Sequence, residues 1–294
     1  MKPLSAVFSV RQPWTTWLRS KSGLSRALAV AALAVPLVAL AAESSISLSD
    51  PAGDDNGPGS YKYPTNPEYK THAFDLRKLD VTDKGDEVEF KVTMGASIDD
   101  PWNSRDWPDG GGNGFSLQFV QVYIDTDHQK GSGHTSPLPG LGKGNFADDE
   151  AWDKVVLISP QPRTRLSAEV KAKAGALKAS VVVPKSTRAS GKSLVAVVKK
   201  SDLGEFSAKW GFNALVQSNE GFPVGKDILT RPVNQTAGPH RFGGGDDSDC
   251  DPQWMDMLAG KGKGEGSETQ AQHAAMKYSC GGKVASIPMV YAAE

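Results

Sequence analysis

The amino-acid sequence predicts an all-β protein, an antiparallel β-sandwich. Two segments alternate apolar and polar residues with the period of two that a strand requires, Glu87–Met94 (EVEFKVTM) and residues 115–125 (FSLQFVQVYID). More valine-rich segments follow, and glycine, proline, asparagine and aspartate separate them. Several short strands with turn residues between them are typical of a sandwich.

The segment 115–125 is the longest predicted strand, and it is apolar on both faces. One face carries three aromatic residues, a leucine and one glutamine, and the other carries Val120, Val122 and Ile124. Because both faces are apolar, we expect this strand to lie buried between two layers.

The remaining elements are assigned by the same patterns. Five more segments read as strands: 154–159 (KVVLIS), 165–170 (RLSAEV), 176–184 (ALKASVVVP), 193–200 (SLVAVVKK) and 209–218 (KWGFNALVQS). Two segments near the end read as short helices: 253–260 (QWMDMLAG) and 269–279 (TQAQHAAMKYS). No internal repeat is present, so we expect one β domain, residues 42–258, and a C-terminal appendage, residues 259–294. The appendage begins with a glycine-rich loop, residues 259–270.

Residues 1–41 have the three parts of a secretory signal peptide: a basic start without acids, an apolar run at 27–40 and an Ala39-Leu40-Ala41 cleavage signal. We expect cleavage near Ala41 and export to the periplasm or the cell exterior. The alternative is an uncleaved membrane anchor. The apolar run is short for that, since a spanning helix needs about 20 residues, and no other segment comes close to this length.

Removal of this segment makes the protein acidic. Five of the 33 basic residues precede residue 42, so 28 basic and 34 acidic residues remain, a formal charge of about −6. An acidic chain without a basic patch is not suited to bind nucleic acid.

The two cysteines, Cys250 and Cys280, predict a disulfide in an oxidising compartment. In the chain-entropy model, closing a loop of this length stabilises the fold by about 3–4 kcal/mol. The alternative is a pair of metal-binding thiolates, but the sequence has no CxxC and no histidine at zinc spacing.

Acidic residues are concentrated in loops, notably at positions 50–55, 99–109, 125–127 and 246–251. Three uses are open: Ca²⁺ binding, general acid/base catalysis by a carboxylate pair as in glycoside hydrolysis, or plain solvation. The segment 125–136 resembles an EF-hand loop only in its first Asp-x-Asp, because Lys130 replaces the required glycine. A nucleophile elbow, a zinc-protease helix motif and nucleotide-binding glycine motifs are all absent from the sequence.

Aromatic residues suggest a binding surface. Trp102 and Trp107 lie in a loop rich in acids and glycines, with Arg105 between them. A tryptophan on a wet loop can stack on the apolar face of a sugar while neighbouring polar side chains bind its hydroxyls. The alternative is that one or both tryptophans anchor the loop to the core.

Six motifs in order resemble the C-terminal domain of glucodextranase and its relatives in pullulanase-type enzymes: DPAGDDNGPGSYKYPT, FDLRKLDV, DDPWNS, GFSLQFVQVYIDTD, GSGHTSPLPG and RFGGGDD. The resemblance covers roughly residues 46–258. It implies a β-sandwich related to DOMON domains and family-9 carbohydrate-binding modules, calcium-containing and sugar-binding or cell-surface in role. Related DOMON-like domains hold haem b. Met94, Met255 and Met257 are the methionines to consider, but no axial ligand pair is evident in the sequence.

Together these observations predict an exported, non-catalytic module that binds an α-glucan-type carbohydrate and is stabilised by calcium. The expected Ca²⁺ ligands are Asp54, Asp55, Asp100, Asp125 and Asp127, and the expected sugar-binding residues are Trp102, Trp107 and Arg105. The expected partners are a polysaccharide or oligosaccharide, and a partner glycosidase or cell-surface component. The alternatives are a glycoside hydrolase that uses loop carboxylates and a haem-bearing electron-transfer domain.

Overall fold

The computed structural model describes residues 44–292, except residues 224, 249 and 262–266. The predicted signal peptide, residues 1–41, lies outside the described residues. The strands are β1 (Ser45–Ser49), β2 (Leu76–Asp83), β3 (Glu87–Met94), β4 (Gln118–Asp125), β5 (Gly144–Asn145), β6 (Lys154–Ile158), β7 (Val181–Val182), β8 (Ser186–Ser190), β9 (Ser193–Lys199), β10 (Gly211–Ser218), β11 (Asp256–Met257), β12 (Ala285–Ser286) and β13 (Val290–Tyr291). The α-helices are α1 (Arg163–Lys173), α2 (Lys200–Leu203) and α3 (Ser267–Ala275), and short 3₁₀ helices span Ser104–Asp106 and Gly175–Leu177.

Two sheets form the sandwich. The first has the order β1-β2-β3-β9-β8, and each neighbouring pair is antiparallel. The second has the order β11-β10-β4-β6-β7, with β13 also paired to β10. Its pairs are antiparallel except β6 with β7, and a small parallel pair joins β5 to β12. The predicted antiparallel sandwich is confirmed.

Strand β4 forms the centre of the second sheet, between β10 and β6. All eight of its residues are buried, as are all eight of β10. The Tyr123 hydroxyl donates to Gln121 Oε1 at 2.6 Å, and the Gln121 amide donates to Gln217 Oε1 of β10 at 3.3 Å. The Tyr123 ring also packs on Phe146 and Trp152 of the loop layer outside the sheet. The strand therefore lies between two covered faces, as its sequence predicts.

Three element predictions are wrong in whole or in part. Of residues 176–184, predicted as one strand, only Val181–Val182 form a strand, and the segment begins within the 3₁₀ helix Gly175–Leu177. Residues 165–170 lie in helix α1 rather than in a strand, and Leu166 and Val170 are its buried residues. Residues 253–260 do not form a helix, because Asp256 and Met257 pair with β10 as strand β11. The second predicted helix is confirmed as α3.

The C-terminal segment is joined to the sandwich at several places. Strand β13 pairs with the start of β10, and Cys250 is disulfide-bonded to Cys280 with their Cα atoms 5.3 Å apart. The predicted disulfide is confirmed. Among the described residues, no helix combines the length and the apolarity needed to cross a membrane.

Candidate binding groove and carboxylate clusters

The loop that carries the two predicted surface tryptophans has a defined local structure. Asp100 accepts hydrogen bonds from the backbone N–H of Ser104 at 2.9 Å and from its hydroxyl at 2.9 Å, and so holds the start of the 3₁₀ helix. Gly111 has a φ of +77°, and a Cβ at this position would overlap the carbonyl oxygen of Arg105. The glycines of this loop therefore permit a turn that other residues would not.

This turn places the tryptophans at the edge of a groove of about 300 Å³. Trp102 is 37% exposed, and its ring packs edge-on against Tyr69 with centroids 5.9 Å apart. The Trp107 indole N–H donates to the Trp102 carbonyl at 2.9 Å. On the opposite side Phe222 is 87% exposed, the most exposed large apolar side chain among the described residues. The groove walls are thus mainly aromatic.

Two arginines line the same groove. Arg165 of α1 donates to the carbonyl of Gly221, and its guanidinium lies 5.9 Å from the centre of the Phe222 ring. Arg231 donates to the Tyr69 hydroxyl at 2.8 Å and forms an ion pair with Glu220 at 3.2 Å. These contacts fix Tyr69 and Phe222 in the groove wall, and the charge of Arg231 is compensated by Glu220.

The groove also contains two buried amide groups with free acceptors. Gln161 is 1% exposed and Asn219 is 5% exposed. The Gln161 Oε1 and Asn219 Oδ1 atoms accept no hydrogen bond from the described residues. A buried polar atom without a partner costs free energy, and both oxygens are closed to solvent, so a ligand in the groove reaches them only when the amide groups turn toward it. Aromatic faces beside such acceptors suit the alternating C–H and O–H groups of a sugar.

A second feature is a buried cluster of carboxylates. Oxygens of Asp50, Asp54 and Asp256 lie within 4.8 Å of one another, and all three residues are buried. Burial and the neighbouring acidic charges raise the pKa of Asp50 to about 12 and hold the pKa of Asp256 well above its usual range. Burial also raises the pKa of the adjoining Glu268 to about 7. These shifts report that the ionised cluster lacks a compensating positive charge.

A third group of acids, Asp125, Asp127 and Asp153, lies at the end of β4. Its oxygens are largely occupied by the chain itself. Asp125 accepts from the N–H of His128 at 2.7 Å and from the Tyr291 hydroxyl at 2.5 Å. Asp153 accepts from the N–H and hydroxyl of Thr126, and Asp127 accepts from Gln129 and Ser132. These hydrogen bonds hold the turn that follows β4.

A comparison with protein families decides the relationship of the chain. The model of the C-terminal binding module, SLH-like, of glucodextranase matches residues 46–290. The chain belongs to this family. A search of the curated proteins finds no significant match. The match includes α3 and β12, so the family model extends over most of the C-terminal segment of this glucodextranase-type module.

The five predicted calcium ligands of the module do not meet in one place. Asp54 belongs to the buried cluster, and Asp125 and Asp127 belong to the group at the end of β4. Asp55 accepts a hydrogen bond from the Tyr63 hydroxyl and lies 3.6 Å from the His72 ring nitrogen. Asp100 accepts hydrogen bonds from Ser104 in the loop of the groove. Whether any of them binds calcium stays a prediction.

The predicted sugar-binding residues divide in a similar way. Trp102 and Trp107 both line the groove, whereas Arg105 lies along the backbone of Gly114 and is absent from the described lining. Sequence reasoning missed the other lining residues: Tyr69, Pro108, Ser116, Gln161, Arg165, Asn219, Gly221, Phe222 and Arg231. Of these residues, Phe222 is the one that the sequence could have indicated. It lies between Gly221 and Pro223 in the stretch SNEGFPVG, and, like Trp102, it is a large aromatic residue in a predicted loop.

Proposed function

We propose that the chain is an exported, non-catalytic module that binds an α-glucan-type carbohydrate in the aromatic groove and is stabilised by calcium. The observation that supports this most is the groove, which Trp102, Trp107 and Phe222 line together with Gln161 and Asn219. The family description as a binding module of glucodextranase supports both the role and the choice of α-glucans as first ligands.

Different residues of the groove contact different parts of the sugar. An aromatic ring at Trp102 or Phe222 covers one C–H face of a pyranose and removes apolar area from water. Hydroxyl groups of the sugar donate to Gln161 and Asn219 once their amide groups turn toward the groove, which gives the two buried oxygens a partner. Arg165 holds Phe222 in place and offers its remaining N–H groups to sugar oxygens.

The same groove supports binding rather than hydrolysis. A glycoside hydrolase places two carboxyl groups about 5–10 Å apart across the bond that it cleaves. The described residues that line the groove include neither aspartate nor glutamate. Three acids are chain neighbours of lining residues: Glu220, which is engaged by Arg231, and the exposed Asp106 and Asp109. A hydrolytic site in this groove would have to draw its carboxylates from outside the lining.

Export and calcium complete the proposal. Export is supported by the signal-like features of residues 1–41. Calcium is supported by carboxylate groups in the first loop and at the end of β4, because this ion prefers clusters of oxygen ligands.

The test of the groove uses titration calorimetry and affinity electrophoresis of the secreted chain with dextran, pullulan and malto-oligosaccharides. Phe222→Ala and Arg165→Ala are the probes, and Arg188→Ala is the matched control because Arg188 is exposed on β8 and absent from the described groove lining. We expect both probes to weaken binding about tenfold, or roughly 1.4 kcal/mol, and the control to bind like the wild type.

Three results would contradict the proposal. Binding that survives both groove substitutions unchanged would place the ligand elsewhere. Release of reducing sugar by the purified chain, abolished by one Asp→Asn change, would favour the glycoside hydrolase alternative. A Soret band in protein from haem-supplied cells would favour the electron-transfer alternative, for which the buried Met94, Met255 and Met257 would be examined.

A further inference from the structure

Four carboxylates from three separate parts of the chain meet in the buried cluster. Asp50 and Asp54 come from the first loop, Asp256 from β11 and Glu268 from the first turn of α3. Asp50 is 7% exposed, Asp54 1% and Asp256 0%. A fold that only needed solvated acids would leave them on the surface, since burial of a charge without compensation is costly.

The described part of the chain provides no positive charge for this cluster. The ion pairs of its lysines, arginines and histidines involve none of the four carboxylates. Both oxygens of Asp50, one oxygen of Asp54 and one of Glu268 are buried and accept no hydrogen bond from the described residues. Four buried carboxylate oxygens therefore lack a hydrogen-bond donor among the described residues, which distinguishes this cluster from the one at the end of β4.

The remaining oxygens of the cluster are held by the backbone and a hydroxyl. Asp256 accepts from the N–H of Leu76 at 2.6 Å and of Met257 at 2.9 Å. Glu268 accepts from the N–H of Ala259 at 2.7 Å. These bonds fix the side chains while leaving other oxygens free, as partners behind metal-ligating groups do. The cluster contains oxygen ligands alone, which suit Ca²⁺ or a similar hard cation rather than zinc or copper.

The cluster lies where the C-terminal segment meets the first loop. Thr269 of α3 donates to Asp54 Oδ2 at 3.0 Å, and Gln272 donates to the Asp54 carbonyl at 2.6 Å. One turn further, His273 Nε2 lies 3.0 Å from Asn56 Oδ1. The backbone of Leu76, bonded to Asp256, brings in the first sheet as well. An ion here would join α3, the first loop and β11 at one point.

We propose that Asp50, Asp54, Asp256 and Glu268 form a Ca²⁺ site that fastens helix α3 and the C-terminal segment to the first loop of the sandwich. This inference rests on the calcium part of the proposed function and gives it a place and a role. Of the four ligands, only Asp54 belongs to the set that the sequence predicts.

The test measures Ca²⁺ binding by calorimetry and the melting temperature of the chelator-treated mature chain. The probes are Asp50→Asn and Glu268→Gln, which keep the size of the side chain and remove its charge. The matched control is Asp202→Asn in α2, an exposed acid outside both carboxylate groups, and Asp127→Asn separately tests the group at the end of β4. We expect one Ca²⁺ per wild-type chain, a melting temperature that rises with Ca²⁺, and at least tenfold weaker binding in both probes. The control should bind like the wild type.

Hydrogen exchange adds a readout that reports on the fastening itself. We expect Ca²⁺ to slow exchange of the α3 amides and of the first loop in the wild type, but not in Asp50→Asn. The amides of β8, at the far edge of the first sheet, should be unaffected in both proteins. The probes are expected to fold without Ca²⁺, because each removes one of the repelling charges.

The outcomes separate this inference from the calcium proposal as a whole. If both probes respond to Ca²⁺ like the wild type while Asp127→Asn does not, the ion binds at the end of β4, and calcium stabilisation survives without this site. If the wild type shows neither binding nor a shift in melting temperature, calcium stabilisation and the site both fail. The carboxylates would then be held protonated in the folded chain. Binding without any change in α3 exchange would overturn the fastening role alone.

Discussion

Asp100 holds the loop of the groove through its hydrogen bonds to Ser104. The sequence predicts that Asp100 is a calcium ligand. Two adjacent aspartates in a glycine-rich loop are equally compatible with ion binding and with hydrogen bonds to the loop backbone. The distinction depends on the N–H groups that the loop presents to the carboxylate, and these become visible only with the backbone path. A carboxylate that caps a short helix has its oxygens occupied.

The hydrogen bonds of Asp100 to Ser104 predict the effect of Asp100→Ala. Loss of the Ser104 hydrogen bonds should lower the free energy of unfolding by about 1–2 kcal/mol. The loosened loop should also weaken glucan binding, because Trp102 follows two residues later. Urea unfolding and calorimetry measure the two effects. Asp106→Ala, an exposed acid in the same 3₁₀ helix, is the control. A fall in calcium affinity instead would restore Asp100 as a ligand.

At the scale of elements, the strands that sequence identifies best are those whose period is unambiguous. Strand β3 alternates over its full length, with Val88, Phe90, Val92 and Met94 all buried. Residues 165–170 fit both periods, because Leu166 and Val170 are spaced for a helix while Leu166, Ala168 and Val170 also alternate. The ion pair of Glu169 with Lys173 at i, i+4 belongs to the helix that forms. Short apolar runs are open to both structures.

Strand β11 shows how tertiary pairing overrides a local pattern. The stretch around it is apolar, with Trp254, Met255, Met257 and Leu258 buried, and is followed by glycine, which resembles a helix with its stop signal. In the fold, Met257 pairs with Leu215 and Asp256 with Val216 at the edge of β10. Strand β10, which provides that edge, lies some 40 residues earlier in the sequence. The residues around β11 therefore do not predict the pairing by themselves.

The disulfide acts on the elements between its ends. Cys250 and Cys280 are 30 residues apart and enclose β11 and α3. We expect Cys250→Ser/Cys280→Ser to lower the free energy of unfolding by about 3–4 kcal/mol, through the greater entropy of the unfolded chain. Urea unfolding measures this. The wild type treated with a reductant should match the double variant. A variant as stable as the oxidised wild type would show that the contacts of α3 alone hold this segment.

For the molecule as a whole, the sequence identifies the family, the sandwich, the disulfide and two aromatic residues of the groove. It does not identify the rest of the groove or the composition of the buried cluster. Gln161 and Asn219 are ordinary amides until the fold buries them in the lining of one groove. Asp54 and Asp256 are about 200 residues apart, and long-range contacts bring them together: the pairing of β11 with β10 and the hydrogen bond from Gly57 N–H to the Met255 carbonyl. Sites that long-range topology assembles cannot be predicted from local sequence patterns.

The first loop and the groove are connected by packed aromatic rings. The Tyr63 hydroxyl donates to Asp55 and accepts from the N–H of Phe74 at 3.1 Å. The Phe74 ring stacks on Tyr69 with centroids 6.1 Å apart, and Tyr69 packs against Trp102 at the groove. An ion that orders the first loop also steadies the segment that carries Tyr69. We therefore expect calcium to favour the groove conformation that binds the glucan.

This connection predicts a reciprocal effect between the two ligands. Saturating Ca²⁺ should tighten glucan binding about fivefold, a coupling of roughly 1 kcal/mol, and saturating glucan should tighten Ca²⁺ binding by the same factor. Calorimetry of each ligand with and without the other measures both. Tyr63→Phe keeps the ring but removes its bonds to Asp55 and Phe74, so it should reduce the factor while both ligands still bind. Equal glucan affinity with and without Ca²⁺ would show that the ion stabilises the fold without reaching the groove. Because linkage between one Ca²⁺ site and one glucan site requires equal factors, unequal factors would show that a further site takes part.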